Sequence, residues 1–132
     1  MADLSHGPSI LIVDDDPDIL KALQEFFVMR GYFCMTTTDG RQALGMLANV
    51  FPSVVVVDIR LNTEISGFDI LRRTKELLPT TKVIVMTGFT DEEYPEKAKE
   101  LKADWFIRKP VTPEKILEFL EGTQGASGDP KK

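Results

Sequence analysis

Five side chains define the chemistry this chain can carry: Asp14, Asp15, Asp58, Thr87 and Lys109. Each stands at the end of a short apolar run. Ile10-Leu11-Ile12-Val13 stops on Asp14-Asp15, Val54-Val55-Val56-Val57 on Asp58, Val83-Ile84-Val85-Met86 on Thr87, and Trp105-Phe106-Ile107 on Arg108-Lys109-Pro110. Three carboxylates held close together repel one another unless a proton or a cation intervenes. Mg²⁺ takes oxygen ligands and bridges carboxylates to phosphate oxygens, so it suits them better than Zn²⁺. An aspartate can also accept a phosphoryl group as an acyl phosphate, and the work left to the protein is then mostly positioning and charge neutralisation. Asp58, alone at the end of the Val54–Val57 run, is the natural nucleophile; Lys109 supplies a compact positive charge for a phosphoryl oxygen and Thr87 a hydroxyl donor. Taken singly, Asp58, Thr87 and Lys109 are ordinary polar strand termini, Asp14 or Asp15 alone reads equally as a helix-capping group, and Asp16 beside Pro17 reads as a helix cap. Their joint placement makes the case for a site.

Apolar runs of this kind are the buried strands of a parallel sheet, whose carboxyl ends share the edge where open α/β folds bind their ligands. Strands are expected at Ser9–Val13, Phe33–Thr37, Val54–Val57, Lys82–Met86 and Trp105–Arg108. Between them lie helical patterns. One starts at Asp16-Pro17 and stops at Gly31, one runs from Asp39 to about Ala48, one follows Ser66-Gly67 and ends before Pro79, and one runs from Pro113 to about Glu121 with Thr112 as cap. Strand and helix in alternation predict an α/β fold, a doubly wound five-stranded parallel sheet. Pro95 disturbs the fourth helix, because it lacks an N–H and pushes Tyr94 away from helical angles. Regular helix is therefore expected only from near Pro95 to about Leu101, with Thr87–Tyr94 as an extended loop.

Composition narrows the partners. The chain is the size of one domain that can bury a sufficient core. A net charge of -5 and a pI near 4.9 argue against a nucleic-acid-binding surface. No apolar stretch approaches the roughly 18 residues of a membrane span, and no signal peptide is evident. Cys34 is the single cysteine, which excludes an intrachain disulfide and suits the cytoplasm; it reads as a small buried strand residue. His6 is the single histidine and falls in the leader, so histidine acid/base chemistry is not expected.

The runs ILIVDDDPDIL, VVVVDIRL, VIVMTGF and FIRKP together resemble the receiver domain of bacterial two-component response regulators, over about Ser9–Leu120. The resemblance implies a flavodoxin-like three-layer sandwich with sheet order 2-1-3-4-5. Residues 1–8 then form a disordered leader, 9–121 the receiver domain, and 122–132 a flexible tail or linker stub. It further implies that Asp58 accepts a phosphoryl group from a histidine kinase or histidine phosphotransfer protein, with Mg²⁺ as cofactor. Asp15 would bind the ion directly and Asp14 directly or through water, with Asp58 and the backbone carbonyl of Arg60 as the remaining protein ligands. Thr87 and Lys109 would contact the phosphoryl group, the bond before Pro110 would be cis, and Phe106 would hold the switch-aromatic position. Phosphorylation would shift a conformational equilibrium. With no effector domain in this sequence, the expected output is a downstream protein docking on Pro95–Lys99, Phe106 and the last helix, and the only catalysis is of the chain's own phosphorylation and dephosphorylation.

The chain also departs from that family pattern. The segment between Asp58 and Gly67 is one residue longer than usual and lacks the common proline at Asn62. Lys102 takes a turn position that is often glycine. Arg60 and Phe89 occupy positions that tune dephosphorylation, and their bulk is expected to restrict attacking water and lengthen the phosphoryl lifetime. Two other readings remain. Asp14-x-Asp16 superficially matches the first motif of a Mg²⁺-dependent haloacid-dehalogenase-type phosphohydrolase, although Asp18 stands where that motif wants Thr or Val and the chain lacks room for a substrate cap. A receiver-like binding module that does not use phosphorylation is the other. A dinucleotide- or flavin-binding domain is disfavoured, since no Gly-rich loop follows the first strand.

Overall fold

Val54, Val55, Val56 and Val57 are all buried, as a strand covered on both faces requires. They belong to a sheet of β1 (Ser9–Val13), β2 (Phe33–Thr37), β3 (Val54–Asp58), β4 (Lys82–Thr87) and β5 (Trp105–Arg108). These alternate along the chain with α1 (Pro17–Met29), α2 (Gly40–Val50), α3 (Gly67–Leu77), α4 (Glu93–Glu100) and α5 (Pro113–Gly122). The structure, a computed structural model, describes residues 8–61, 64–88 and 93–122. All strand pairs are parallel and their order is β2-β1-β3-β4-β5, as the resemblance implies.

Side chains alternate across the sheet with the period of two that a pleated strand imposes. Ile10, Ile12, Val54, Val56, Ile84 and Met86 face one side and pack with Leu20, Leu23 and Phe27 of α1 and Ile116 and Phe119 of α5. Leu11, Val13, Val55, Val57, Val83 and Val85 face the other side and pack with Ala43 and Leu47 of α2, Ile70 and Leu71 of α3 and Ala98 of α4. Three layers result. The register sets Val13 beside Val57 and Val57 beside Val85, so that the polar residues that follow emerge together at the carboxyl edge. Phe27 is fully buried, and its truncation to Ala would cost about 3–5 kcal/mol.

Most helix ends follow the sequence signals. Asp16 caps α1 through its side chain, which accepts the Asp18 N–H at 2.9 Å, and Gly31, just past the other end of the helix, turns the chain with a φ of 90°. Asp39 is the cap of α2 rather than its first residue, and α2 continues to Val50, past the expected end near Ala48. It finishes on Phe51 at a φ of 54°, a left-handed position with no glycine to announce it.

The fourth helix needs correcting. α4 starts at Glu93, ahead of Pro95, so Tyr94 is helical and not part of an extended loop. Pro95 is its third residue, where the missing N–H would have had no acceptor within the helix. Lys102, after α4, takes the left-handed turn at a φ of 72°. The expectations for the leader before Pro8, for Asn62, for Phe89 and the loop around it, and for the tail after Gly122 fall outside the described residues.

Candidate functional site

The sheet order reverses direction between β1 and β3, and the site lies at the carboxyl ends of these two strands, where such a reversal leaves a crevice. Asp14 follows β1 and is fully buried; Asp58 ends β3 and is nearly so. Asp15 is half-buried beside them. Each of the three offers one carboxylate oxygen, and these oxygens lie within 4.8 Å of one another. Lys109 reaches in from the end of β5, with its ammonium 2.8 Å from Asp14 Oδ2 and 2.8 Å from Asp58 Oδ2. Thr87, at the end of β4, is fully buried.

Backbone amides fix the carboxylates further. Asp14 Oδ1 accepts the Asp16 N–H at 2.9 Å, and Asp58 Oδ1 accepts the Arg60 N–H at 3.1 Å. Both oxygens of each of these acids are therefore engaged, one by an amide and one by Lys109. The Lys109 N–H donates to the Thr87 carbonyl at 2.7 Å, and the Lys109–Pro110 bond is cis. Burial pushes the Asp58 carboxyl above its ordinary range, and the Asp14 charge adds to this, while Lys109 and the Arg60 amide oppose without cancelling. For Lys109, burial acts to lower the ammonium's pKa, but its bonds to Asp14 and Asp58 outweigh burial and hold it above its ordinary value. One ammonium thus stands against two buried carboxylates. The donor set fits a hard divalent cation: every donor is oxygen, and the acids carry more negative charge than Lys109 can balance.

The structure brings Asp14, Asp15, Asp58, Thr87 and Lys109 to one edge of the sheet, and it separates Asp16 from them by role, as the α1 cap. Arg60 is exposed, and its backbone N–H donates to Asp58 Oδ1. Phe106, on β5, is half-buried against the apolar layer of α2, α3 and α4, with the Arg108 guanidinium 5.6 Å from its ring centroid.

Three supports were not anticipated. A Cβ on Gly67 would lie 2.2 Å from the backbone oxygen of Asp58, so only glycine lets the start of α3 approach the end of β3. Ser66 and Asp69 form a capping box, with the Ser66 N–H donating to Asp69 Oδ2 at 2.9 Å and the Asp69 N–H to Ser66 Oγ at 3.3 Å. That motif was visible as Ser-x-x-Asp. At the opposite edge, Asp104 Oδ2 accepts the Val83 N–H at 2.7 Å and the Lys75 ammonium at 2.8 Å, fastening the end of α3 to β4 and β5.

Comparison with known proteins places this architecture. The sequence pattern of the response regulator receiver domain matches residues 10–121. The response regulator SaeR of Staphylococcus epidermidis is 35% identical over 108 residues, which are 82% of this chain and 46% of SaeR. SaeR of Staphylococcus aureus is 34% identical over the same share of each chain. The chain therefore spans about half the length of the curated relatives it matches. Among solved structures, a CheY-like receiver domain protein from Methanospirillum hungatei superposes with a TM-score of 0.83 at 30% identity, covering 88% of this chain and 92% of that one. The BeF3-activated DrrB receiver domain gives 0.79 at 34% identity, covering 90% and 98%. With the strand order, the converging acids and these likenesses in agreement, the chain belongs to the response regulator receiver domain family.

Proposed function

We propose that the chain is a phosphoacceptor switch of a two-component system and that Asp58 is the acceptor. The observation that carries this reading is the pairing of Lys109 with both Asp14 and Asp58 at 2.8 Å, beside the third acid Asp15. A carboxylate oxygen of Asp58 forms a bond to phosphorus as the bond from phosphorus to a histidine nitrogen of the donor breaks. The electron pair of that bond leaves with the imidazole, which takes up a proton. Lys109 then transfers its hydrogen bonds from Asp58 to a phosphoryl oxygen, and the Thr87 hydroxyl donates to another. Asp14, Asp15, Asp58 and the Arg60 carbonyl would hold Mg²⁺, which when bound neutralises charge on the phosphoryl oxygens. The donor is a histidine kinase or a histidine phosphotransfer protein.

Phe106 and the face formed by α4, β5 and α5 carry the change to a downstream protein, as the ring moves when Thr87 turns toward the phosphate. The setting is cytoplasmic. Cys34 is free and buried, and burial pushes its thiol up to about 11, so it neither pairs within the chain nor reacts readily. Among the described residues no helix is long and apolar enough to cross a membrane.

Acetyl phosphate with Mg²⁺ tests the reading against a phosphohydrolase. Labelling that stops at a single phosphate per chain and is blocked by a chelator supports it; steady turnover of a small phosphate ester without a labelled chain overturns it.

A further inference from the structure

We propose that the first turn of α2 is a positioning bracket for the acid cluster, holding the loop after β3 so that Asp58 and the Arg60 backbone sit correctly for a divalent cation. The proposal rests on the phosphoacceptor reading and adds residues to it that touch neither phosphate nor metal.

A continuous set of contacts runs from one acid to the other through α2. The Asp14 N–H donates to the Thr37 carbonyl at 3.3 Å, at the end of β2. The Thr37 hydroxyl accepts the Asp39 N–H at 3.1 Å and meets the Gln42 side chain, so the start of α2 is tied to the strand beside Asp14. The Asp39 side chain then caps the helix by accepting the Arg41 N–H at 2.9 Å. From this anchored turn two contacts cross to the loop after β3. Gly40 is buried against Ile65, so that an added Cβ would lie 2.8 Å from Ile65 Cβ, 2.9 Å from its Cγ2 and 3.1 Å from its backbone oxygen. Arg41 pairs with Glu64. The loop returns to the site at its other end, where the Gly67 N–H donates to the Ile59 carbonyl at 2.9 Å and the Arg60 N–H to Asp58 Oδ1 at 3.1 Å.

The two crossing contacts are unequal. Arg41 and Glu64 are both largely exposed, and an ion pair in that setting contributes little. Gly40 against Ile65 is the stronger constraint, because backbone and a β-branched side chain leave no room for even a methyl group. A displaced Ile65 shifts Gly67, whose N–H holds the Ile59 carbonyl, and through Ile59 the Arg60 backbone and the Asp58 carboxylate.

The test is a MgCl₂ titration followed by backbone amide NMR shifts, without a phosphodonor, on the full chain. Gly40→Ala is predicted to weaken apparent Mg²⁺ affinity at least about threefold, with altered shifts at Ile59 and Arg60, through the overpacking just described. Ile65→Ala trims the half-buried side chain on the other side of the contact; it keeps the fold testable if Gly40→Ala does not, and it is predicted to weaken affinity in the same direction. Gly45→Ala is the control, since a Cβ there meets nothing within 4 Å, and it should bind Mg²⁺ like the wild type. Urea unfolding of each variant separates loss of fold from loss of affinity in the folded state. Wild-type affinity in both Gly40→Ala and Ile65→Ala, or an equal loss in Gly45→Ala, overturns the bracket. A wild-type chain that takes up no Mg²⁺ overturns the phosphoacceptor reading instead.

Discussion

Lys109 and Asp58 meet at 2.8 Å although 51 positions separate them, and the contact joins the outermost strand, β5, to the central strand, β3. Lys109 is the cation placed against both Asp14 and Asp58, with its ammonium 2.8 Å from a carboxylate oxygen of each. Replacing it with Met leaves two facing carboxylates without a counter-charge. Breaking a buried pair in this way costs about 3–5 kcal/mol, and partial exposure of Lys109 reduces the expected loss to about 1–3 kcal/mol. Urea unfolding with a chelator present should show that loss, and added Mg²⁺ should recover part of it.

The raised Asp58 pKa gives a signed pH dependence in the metal-free chain. Its folded-state value lies above the unfolded one, so ionised Asp58 opposes folding, fully so above the folded pKa, and this penalty disappears as pH falls below the unfolded value. Asp58→Asn should therefore stabilise the chain at neutral pH, on the order of 1 kcal/mol, with the gain fading in acid. Lys109 has the opposite linkage. Its raised value adds stability that is complete below the unfolded pKa and lost as pH rises through the folded one, at the alkaline end. Unfolding midpoints of wild type and Asp58→Asn across pH, with a chelator, would check both signs.

Gly67→Ala should damage stability and chemistry together. Its Cβ would stand 2.2 Å from the Asp58 backbone oxygen and 2.7 Å from Ile59 Cα, so β3 and α3 must separate. An overpacking cost of about 1–3 kcal/mol is expected. Slower labelling of the chain still folded, measured beside its unfolding midpoint, would distinguish a displaced Asp58 from mere loss of fold.

Asp104→Ala supplies the converse case. It removes the acceptor of the Val83 N–H and one acceptor of the Lys75 ammonium, which keeps the Thr81 carbonyl, at the edge of the sheet away from the site. Leaving the Val83 N–H without its partner should cost about 1–3 kcal/mol in thermal or urea unfolding. The labelling rate of the folded chain should be unchanged.

How much of this was legible in the sequence depended on whether the signal was local. The strands could be read because an all-apolar, β-branched run such as Val54–Val57 has few other places to go than the middle of a parallel sheet. The acid cluster followed, since parallel strands send their ends to one edge. The opening of α4 is not legible because Pro95 has the sequence signature of a break, whereas a proline in the first turn removes no helical hydrogen bond. The Gly67 contact with Asp58, the Gly40 contact with Ile65 and the Asp104 fastening were not legible at all. Each joins segments distant in sequence, and a glycine reveals its reason only when the backbone it faces is in place.

Asp58 as phosphoacceptor is the claim on which the rest depends, and intact-mass measurement after incubation with acetyl phosphate and Mg²⁺ tests it most directly. The wild type should gain a single phosphate and Asp58→Asn none, while both remain folded. A phosphate on Asp58→Asn at the wild-type level, or none on the wild type, would contradict it.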